Sequence, residues 1–125
     1  MNPIAINSIT VDCLDPRSLA DFYMRFLGWH LRHESADFVS IHTPSSPVTI
    51  GFQRNEDYLP PAWPGEKGEP QMMVHIDFKA NDREEMTSLV ANALRCGATL
   101  AEPQYSDQWT VLIDPAGHPF CIDTL

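Results

Sequence analysis

The chain has 125 residues, of which 43% are hydrophobic, and a formal net charge of −9 at neutral pH. These values fit one globular domain with a hydrophobic core and exclude a disordered chain. The acidic balance disfavours nucleic acid and membrane surfaces as partners, because both are bound through clustered Lys and Arg. Residues 1–4 lack a signal-peptide pattern, and no apolar run is long enough for a membrane span.

The first half of the chain predicts a strand, a helix and three further strands. Residues 4–13 alternate apolar and polar, which is typical of a half-buried strand. Asp15 and Pro16 form a helix start, an apolar stripe follows at helical spacing, and Gly28 marks the end. Short strands are predicted near residues 29–33, 38–42 and 48–53.

A segment rich in Pro and Gly follows, at residues 54–70. Its composition predicts an irregular linker between two halves. It also carries Tyr58, Leu59 and Trp63, which either pack on the surface or form a flap over a cavity. We favour packing, because apolar loop residues usually find cover.

The second half repeats the plan of the first. Residues 72–79 predict a strand with Val74, Ile76 and Phe78 on one face, and Asp82 and Gly97 bound a helix. Strands are predicted at residues 99–102, 109–113 and 119–124, with a turn at residues 114–117. The chain therefore predicts a single α+β domain of two βαβββ modules, about 4–53 and 71–125, joined by the linker.

Each predicted helix must bury its apolar stripe against one face of a sheet. The opposite faces then carry polar residues and could line a shared cleft. By strand alternation, these positions include Ser8, Thr10, Asp12, Gly51, His75, Asp77, Lys79, Cys121 and Asp123.

Several of these runs resemble the vicinal oxygen chelate superfamily, which includes glyoxalase I, extradiol dioxygenases and bleomycin resistance proteins. The similarity is greatest to small bacterial glyoxalase-like domain proteins and covers essentially the whole chain. The motifs that carry it are Asp15-Pro16 to Leu27-Gly28-Trp29, Val74-His75-Ile76-Asp77-Phe78, Gly97-Ala98-Thr99 and Asp114-Pro115-Ala116-Gly117-His118-Pro119-Phe120-Cys121.

The resemblance implies paired βαβββ modules around an open, barrel-like cleft, commonly completed in a homodimer. It also implies a divalent metal held by His or Glu from the first and last strands. The matching positions here are Ser8, Gly51, His75 and Cys121. Only His75 is a strong ligand, although Cys121 could bind zinc as a thiolate. We therefore expect the usual metal site to be degenerate and no metal cofactor to be needed.

Four candidate residues have both a functional and a structural interpretation. His75 with Asp77 could act as a general base or hydrogen-bond to a ligand, or His75 could be a buried, satisfied residue. Asp12 could pair with Lys79, recognise a polar ligand or act as a base; we favour a carboxylate bonded near the helix start. Trp109 could stack on a planar ligand or serve only as core.

Two positions of the first strand and the cysteines have mainly structural interpretations. Ser8 and Thr10 could bind ligand oxygens, but ordinary strand residues are favoured. The three cysteines, Cys13, Cys96 and Cys121, lack metal or disulfide-framework spacing and predict small buried thiols. Reduced thiols indicate a cytoplasmic protein.

Two functions of different class follow. The first is a metal-free protein whose cleft binds a small molecule. The second is a metal-dependent lyase, isomerase or dioxygenase with the metal placed by His75. A metal-free acid–base reaction using His75 and Asp77 lies between them.

Overall fold

The computed structural model describes residues 2–125. It contains two helices and eight strands, in two compact units that divide after Tyr58. The elements are β1 (Ser8–Cys13), α1 (Pro16–Leu27), β2 (His30–Glu34), β3 (Phe38–Thr43), β4 (Ser46–Arg54), β5 (Ile76–Lys79), α2 (Arg83–Cys96), β6 (Thr99–Leu100), β7 (Trp109–Ile113) and β8 (Pro119–Asp123). Neither helix in this described range is long and apolar enough to cross a membrane.

The first unit is a four-stranded sheet with α1 on one face. The strand order is β1-β4-β3-β2, with β1 parallel to β4 and the other pairs antiparallel. Phe22 of α1 and Val39, Ile41 and Phe52 of the sheet are buried, and the Tyr23 and Phe52 rings stack 5.5 Å apart. The helix face of this sheet therefore forms the core of the unit.

The second unit has the same plan. Its strand order is β5-β8-β7-β6, with β5 parallel to β8. Met86 and Ala93 of α2 are buried, as are Leu112, Phe120 and Ile122 of the sheet. The prediction of two βαβββ modules is confirmed, and each sheet is open rather than closed into a barrel.

The predicted helix ends are confirmed. The Asp15 carboxylate accepts a hydrogen bond from the Ser18 backbone N–H at 3.2 Å, and Asp82 accepts one from the Glu85 N–H at 2.7 Å. Gly28 ends α1 with φ +72°, a left-handed conformation that L side chains rarely adopt. These local signals depend only on neighbours in sequence, which explains why they could be recognised without a structure.

The predicted starts of the first strands of both modules were too early. β5 begins at Ile76 rather than at residue 72, because its partner β8 begins only at Pro119 and offers no earlier pairing. Val74 was expected on the buried face but is 75% exposed. Similarly, β1 begins at Ser8 rather than residue 4, and Ile4 is exposed.

The strand predicted at residues 99–102 is also shorter, ending at Leu100. Beyond that point the Ala101 N–H still donates to the Val111 carbonyl at 3.1 Å, and the Gln104 side chain makes the other bonds. Its Nε2 donates to the Ala101 and Val111 carbonyls at 2.8 Å each, and its Oε1 accepts from the Val111 N–H at 2.9 Å. The side-chain amide thus bonds backbone groups of Ala101 and Val111 where the regular strand pairing ends.

Candidate functional site

The site residues of the second unit lie on the sheet face turned away from α2. Asp77 of β5 and Cys121 of β8 are direct partners in neighbouring parallel strands. Phe120 and Ile122, which flank Cys121, are buried in the core. Strand alternation therefore turns Cys121 and Asp77 to the opposite face, and His75 lies just before β5.

His75 and Asp77 form an exposed polar pair. The His75 Nε2 lies 3.1 Å from the Asp77 Oδ1, and the two side chains are 39% and 51% exposed. The carboxylate thus provides His75 with a hydrogen-bond partner. The imidazole is exposed, however, so His75 is not the buried histidine that was the structural alternative to a functional role. In a neutral imidazole, donation from Nε2 to Asp77 leaves Nδ1 as an acceptor for a proton or a ligand.

Cys121 is a buried, protonated thiol. Burial is the main cause that raises its pKa to about 12, followed by the charge of Asp77, a hydrogen bond to Asp77 and the charge of Asp123. A thiol with so high a pKa is a poor nucleophile at neutral pH, because the thiolate is the reactive form.

The three side chains together offer donors for a metal. One donor atom each from His75, Asp77 and Cys121 lies within 4.8 Å of the others. Ligand atoms around a tetrahedral zinc lie roughly 3.3–3.8 Å apart, given bond lengths of 2.0–2.3 Å. A contraction of about 1 Å would therefore suffice, and the His, Asp and Cys donors suit Zn²⁺. These residues fit a divalent ion.

This geometry adds to what the sequence indicated about metal ligands. From the sequence, only His75 is a strong ligand, and Asp77 is a partner of the imidazole rather than a third donor. Strand alternation predicts that His75 and Asp77 share one face. The pairing of Asp77 with Cys121 in neighbouring strands then brings the third donor beside them. The expectation that no metal cofactor is needed stays a prediction.

An apolar cluster lies beside these donors. Ala101, Val111 and Cys121 are buried together, and Trp63, Trp109 and Ile113 pack against them. Packing of the linker residue Trp63 is thus confirmed, whereas Leu59 remains 70% exposed. The Trp63 Nε1 is buried and has no hydrogen-bond partner among residues 2–125. Such an unpaired buried donor costs about 1–3 kcal/mol of stability.

The other predicted site residues belong to the first unit. Ser8, Thr10 and Asp12 of β1 pair with Thr49, Gly51 and Gln53 of β4, on the face opposite α1. Gly51 is covered by an aromatic ring, because a Cβ built there would lie 2.7 Å from the Phe38 Cζ and 3.0 Å from the Thr10 Oγ1. This face holds no counterpart of the His75, Asp77 and Cys121 cluster within the described residues.

Asp12 is held by amides of its own unit. Its carboxylate accepts hydrogen bonds from the Gln53 Nε2 at 2.7 Å and the Asn55 Nδ2 at 3.0 Å. These bonds tie β1 to β4 and to the residue that follows it. They give the carboxylate a structural task at this end of the sheet.

Comparison with known proteins now places the chain. Residues 8–122 match the family profile described as "Glyoxalase-like domain". The chain belongs to this family. No curated protein sequence matches this glyoxalase-like domain.

Solved structures agree with this assignment. A glyoxalase/bleomycin resistance protein/dioxygenase family enzyme from Burkholderia phytofirmans PsJN is 25% identical, with a TM-score of 0.72 over 95% of this chain and 98% of that one. A possible glyoxalase from Bacillus cereus is 11% identical, with a TM-score of 0.73 over 97% and 99%. A lactoylglutathione lyase from Agrobacterium tumefaciens is 12% identical, with a TM-score of 0.66 over 98% and 95%. The resemblance to the vicinal oxygen chelate superfamily is confirmed.

The two modules of this glyoxalase-like domain have diverged in chemistry. Of the four positions that the resemblance assigns to metal ligands, Ser8 and Gly51 offer no strong donor, and a ring covers Gly51. His75 and Cys121 carry donors, which Asp77 supplements. The candidate site is therefore the polar face of the second unit.

Proposed function

We propose that this glyoxalase-like domain binds a small planar molecule at the exposed His75–Asp77 pair. The observation that supports this most is the pair itself, an imidazole and a carboxylate 3.1 Å apart and open to solvent. Next to it lies the apolar cluster with Trp63 and Trp109. Binding sites commonly combine an apolar wall with a few oriented polar groups.

The charges on this face narrow the chemical class of ligand. Asp77 lies at the centre of the site, and the chain carries a net charge of −9, so anionic ligands are disfavoured. Aromatic side chains favour a flat ring, and the Nδ1 of His75 can accept a hydrogen bond from a hydroxyl. A neutral phenolic compound such as catechol meets these requirements and serves as a probe.

A second candidate is a metal-dependent lyase, isomerase or dioxygenase, favoured by the three donors within 4.8 Å. His75, Asp77 and Cys121 would hold the ion. When bound, the ion would supply Lewis-acid chemistry at two neighbouring oxygens of a substrate. Asp77 would orient the imidazole, and the thiol would have to lose its proton for the ion to bind.

The decisive experiment measures the melting temperature and the metal content of the wild type and His75→Ala. We expect catechol to raise the melting temperature of the wild type, because a ligand that binds the folded state stabilises it. His75→Ala should lose this shift, whereas His42→Ala, an exposed histidine of β3 in the first unit, should keep it. An unchanged shift in His75→Ala contradicts the proposed site.

Metal content separates the two candidates. Stoichiometric zinc, nickel, manganese or iron that is lost in His75→Ala supports the metal-dependent enzyme. A metal-free protein that still responds to catechol supports the binding protein.

We further propose that the protein works in the cytoplasm. No disulfide joins the three cysteines within residues 2–125, and thiols persist in a reducing compartment.

A further inference from the structure

Trp63 lies against the sheet face that carries the candidate site. It packs on the cluster of Ala101, Val111 and Cys121. Val111 and Cys121 are direct partners in β7 and β8, and Cys121 is also the partner of Asp77. The indole therefore reaches the same surface as the His75–Asp77 pair, although it comes from an irregular segment before β5.

Exposure within the donor cluster is uneven. The side chains of His75 and Asp77 are 39% and 51% exposed, whereas Cys121 is 8% exposed. Cys121 is also the one donor of the three that belongs to the cluster on which Trp63 packs. The indole thus packs on the cluster that contains the thiol, whereas the other two donors lie open to solvent.

The present position of Trp63 leaves its polar atom unsatisfied. Its Nε1 is buried without a hydrogen-bond partner anywhere in residues 2–125. Buried indole N–H groups normally have a partner. The missing hydrogen bond would form if the ring moved so that its N–H met water or a ligand oxygen. Such a second position would therefore also be favourable.

The surroundings of Trp63 leave open space beside the ring. The segment is closed at its base by a hydrogen bond from the Ala62 N–H to the Pro70 carbonyl, at 2.9 Å. Within it, Trp63 borders a cavity of about 310 Å³ that Glu66, Lys67 and Gln71 also line. The indole also contacts the ring of Tyr105, an exposed residue, edge to face, with the two ring centroids 6.3 Å apart.

We propose that Trp63 is a movable cover of Cys121 that selects which ligands reach the thiol side of the site. In the covered state the indole excludes solvent and ligand from the thiol. A ligand gains access when the indole moves off the cluster and its N–H finds an acceptor. This inference rests on the proposed function, since a cover affects selection only if His75 and Asp77 bind a ligand.

The test uses iodoacetamide as a thiol probe and peptide mass spectrometry to follow each cysteine separately. Cys13 is 1% exposed and lies in the first unit, so it reports unfolding of that unit in the same sample. In the wild type at low urea, we expect Cys121 to react faster than Cys13, at a rate nearly independent of urea, because local opening exposes little surface. Equal urea dependence of both cysteines would overturn the proposal.

Two variants test the part played by the indole. Trp63→Ala should raise the Cys121 rate by at least about tenfold relative to Cys13. Trp63→Phe keeps a covering ring, so its rate should stay within about threefold of the wild type. The melting temperature of Trp63→Phe should stay close to that of the wild type, because removal of the unpaired N–H offsets the packing lost with the smaller ring. A Trp63→Ala rate equal to the wild-type rate overturns the cover.

The same samples separate this inference from the proposed function. One outcome is that catechol stabilises the wild type while Trp63→Ala leaves the rate of Cys121 alkylation unchanged. That result would contradict the role of Trp63 as a cover and would support the proposed binding site. If Trp63→Ala accelerates Cys121 but catechol has no effect on the wild type, the ring covers the thiol and the proposed ligand class is wrong. In that case selection by Trp63 is overturned with it.

Discussion

Asp77 has two neighbours within the candidate site. It lies beside the imidazole of His75, and it helps to hold the neighbouring thiol of Cys121 in its protonated form. A folded-state pKa of about 12 lies above the value of about 8.5 for an unperturbed thiol. The contribution of Cys121 to stability is therefore fully present below the unfolded pKa and is lost as the pH rises towards 12.

We predict that Asp77→Asn lowers the pKa of Cys121. Removal of the carboxylate charge takes away the second largest cause of the shift, while burial, the largest, remains. The pH profile of Cys121 alkylation, recorded with a chelator present, measures this. Asp57→Asn, an exposed aspartate of the first unit, is the matched control. An unchanged profile in Asp77→Asn would show that burial alone sets the pKa.

Gly51 is a second residue whose role depends on its neighbours. Because an added Cβ would lie 2.7 Å from the Phe38 Cζ, we predict that Gly51→Ala displaces this ring. The expected loss is about 1–3 kcal/mol in the free energy of unfolding, as for other overpacked sites. Urea unfolding measures it.

The control for Gly51 is a double-mutant cycle. In a Phe38→Leu background the same Gly51→Ala substitution should cost clearly less, because the conflicting ring is gone. Equal losses in both backgrounds would mean that the contact with Phe38 is not the cause.

At the level of elements, the two helices are defined by matching caps. The Asp82 carboxylate accepts from the Glu85 N–H at 2.7 Å, and Asp15 does the same for Ser18 at 3.2 Å. We predict that Asp82→Ala lowers the free energy of unfolding by about 1 kcal/mol, since it removes the N-cap acceptor of α2. Asp82→Asn keeps an acceptor and should lose much less.

Urea unfolding of both Asp82 variants tests this prediction. Losses of equal size in Asp82→Ala and Asp82→Asn would point to charge rather than to capping. The distinction matters because Glu84 and Glu85 also place negative charge in the first turn of α2.

At the scale of the whole molecule, exposed apolar residues lie next to open sheet edges. β1 and β5 are the edge strands of their sheets. Ile6, just before β1, is exposed. Met73 and Val74, just before β5, are 86% and 75% exposed. Apolar residues beside an unpaired strand edge favour association with another chain, so we propose a homodimer.

Light scattering after size-exclusion chromatography tests the homodimer. We predict twice the chain mass for the wild type and a shift towards the monomer for Met73→Glu, because a buried charge disfavours the interface. Lys67→Glu, a change at a polar exposed position, is the control. A wild-type monomer at concentrations of tens of micromolar would contradict the proposal.

Much of the architecture could be predicted from local patterns. Asp15, Gly28, Asp82 and Gly97 mark the helix ends because capping depends only on nearby backbone groups. The alternation in β8 correctly assigned Phe120 to the core and Cys121 to the other face. The strand starts failed where pairing with a distant strand decides the boundary, as at Val74.

The amino-acid sequence by itself determined the two βαβββ modules, the caps of both helices and the residue types available to the candidate site. Only the tertiary structure decided that Asp77 and Cys121 are strand partners, that Phe38 covers Gly51 and that Trp63 packs on the cluster that contains Cys121. These contacts join residues far apart in the chain, and they depend on strand register and on the path of an irregular segment. Neither has a local sequence signal, because both follow from packing against distant residues.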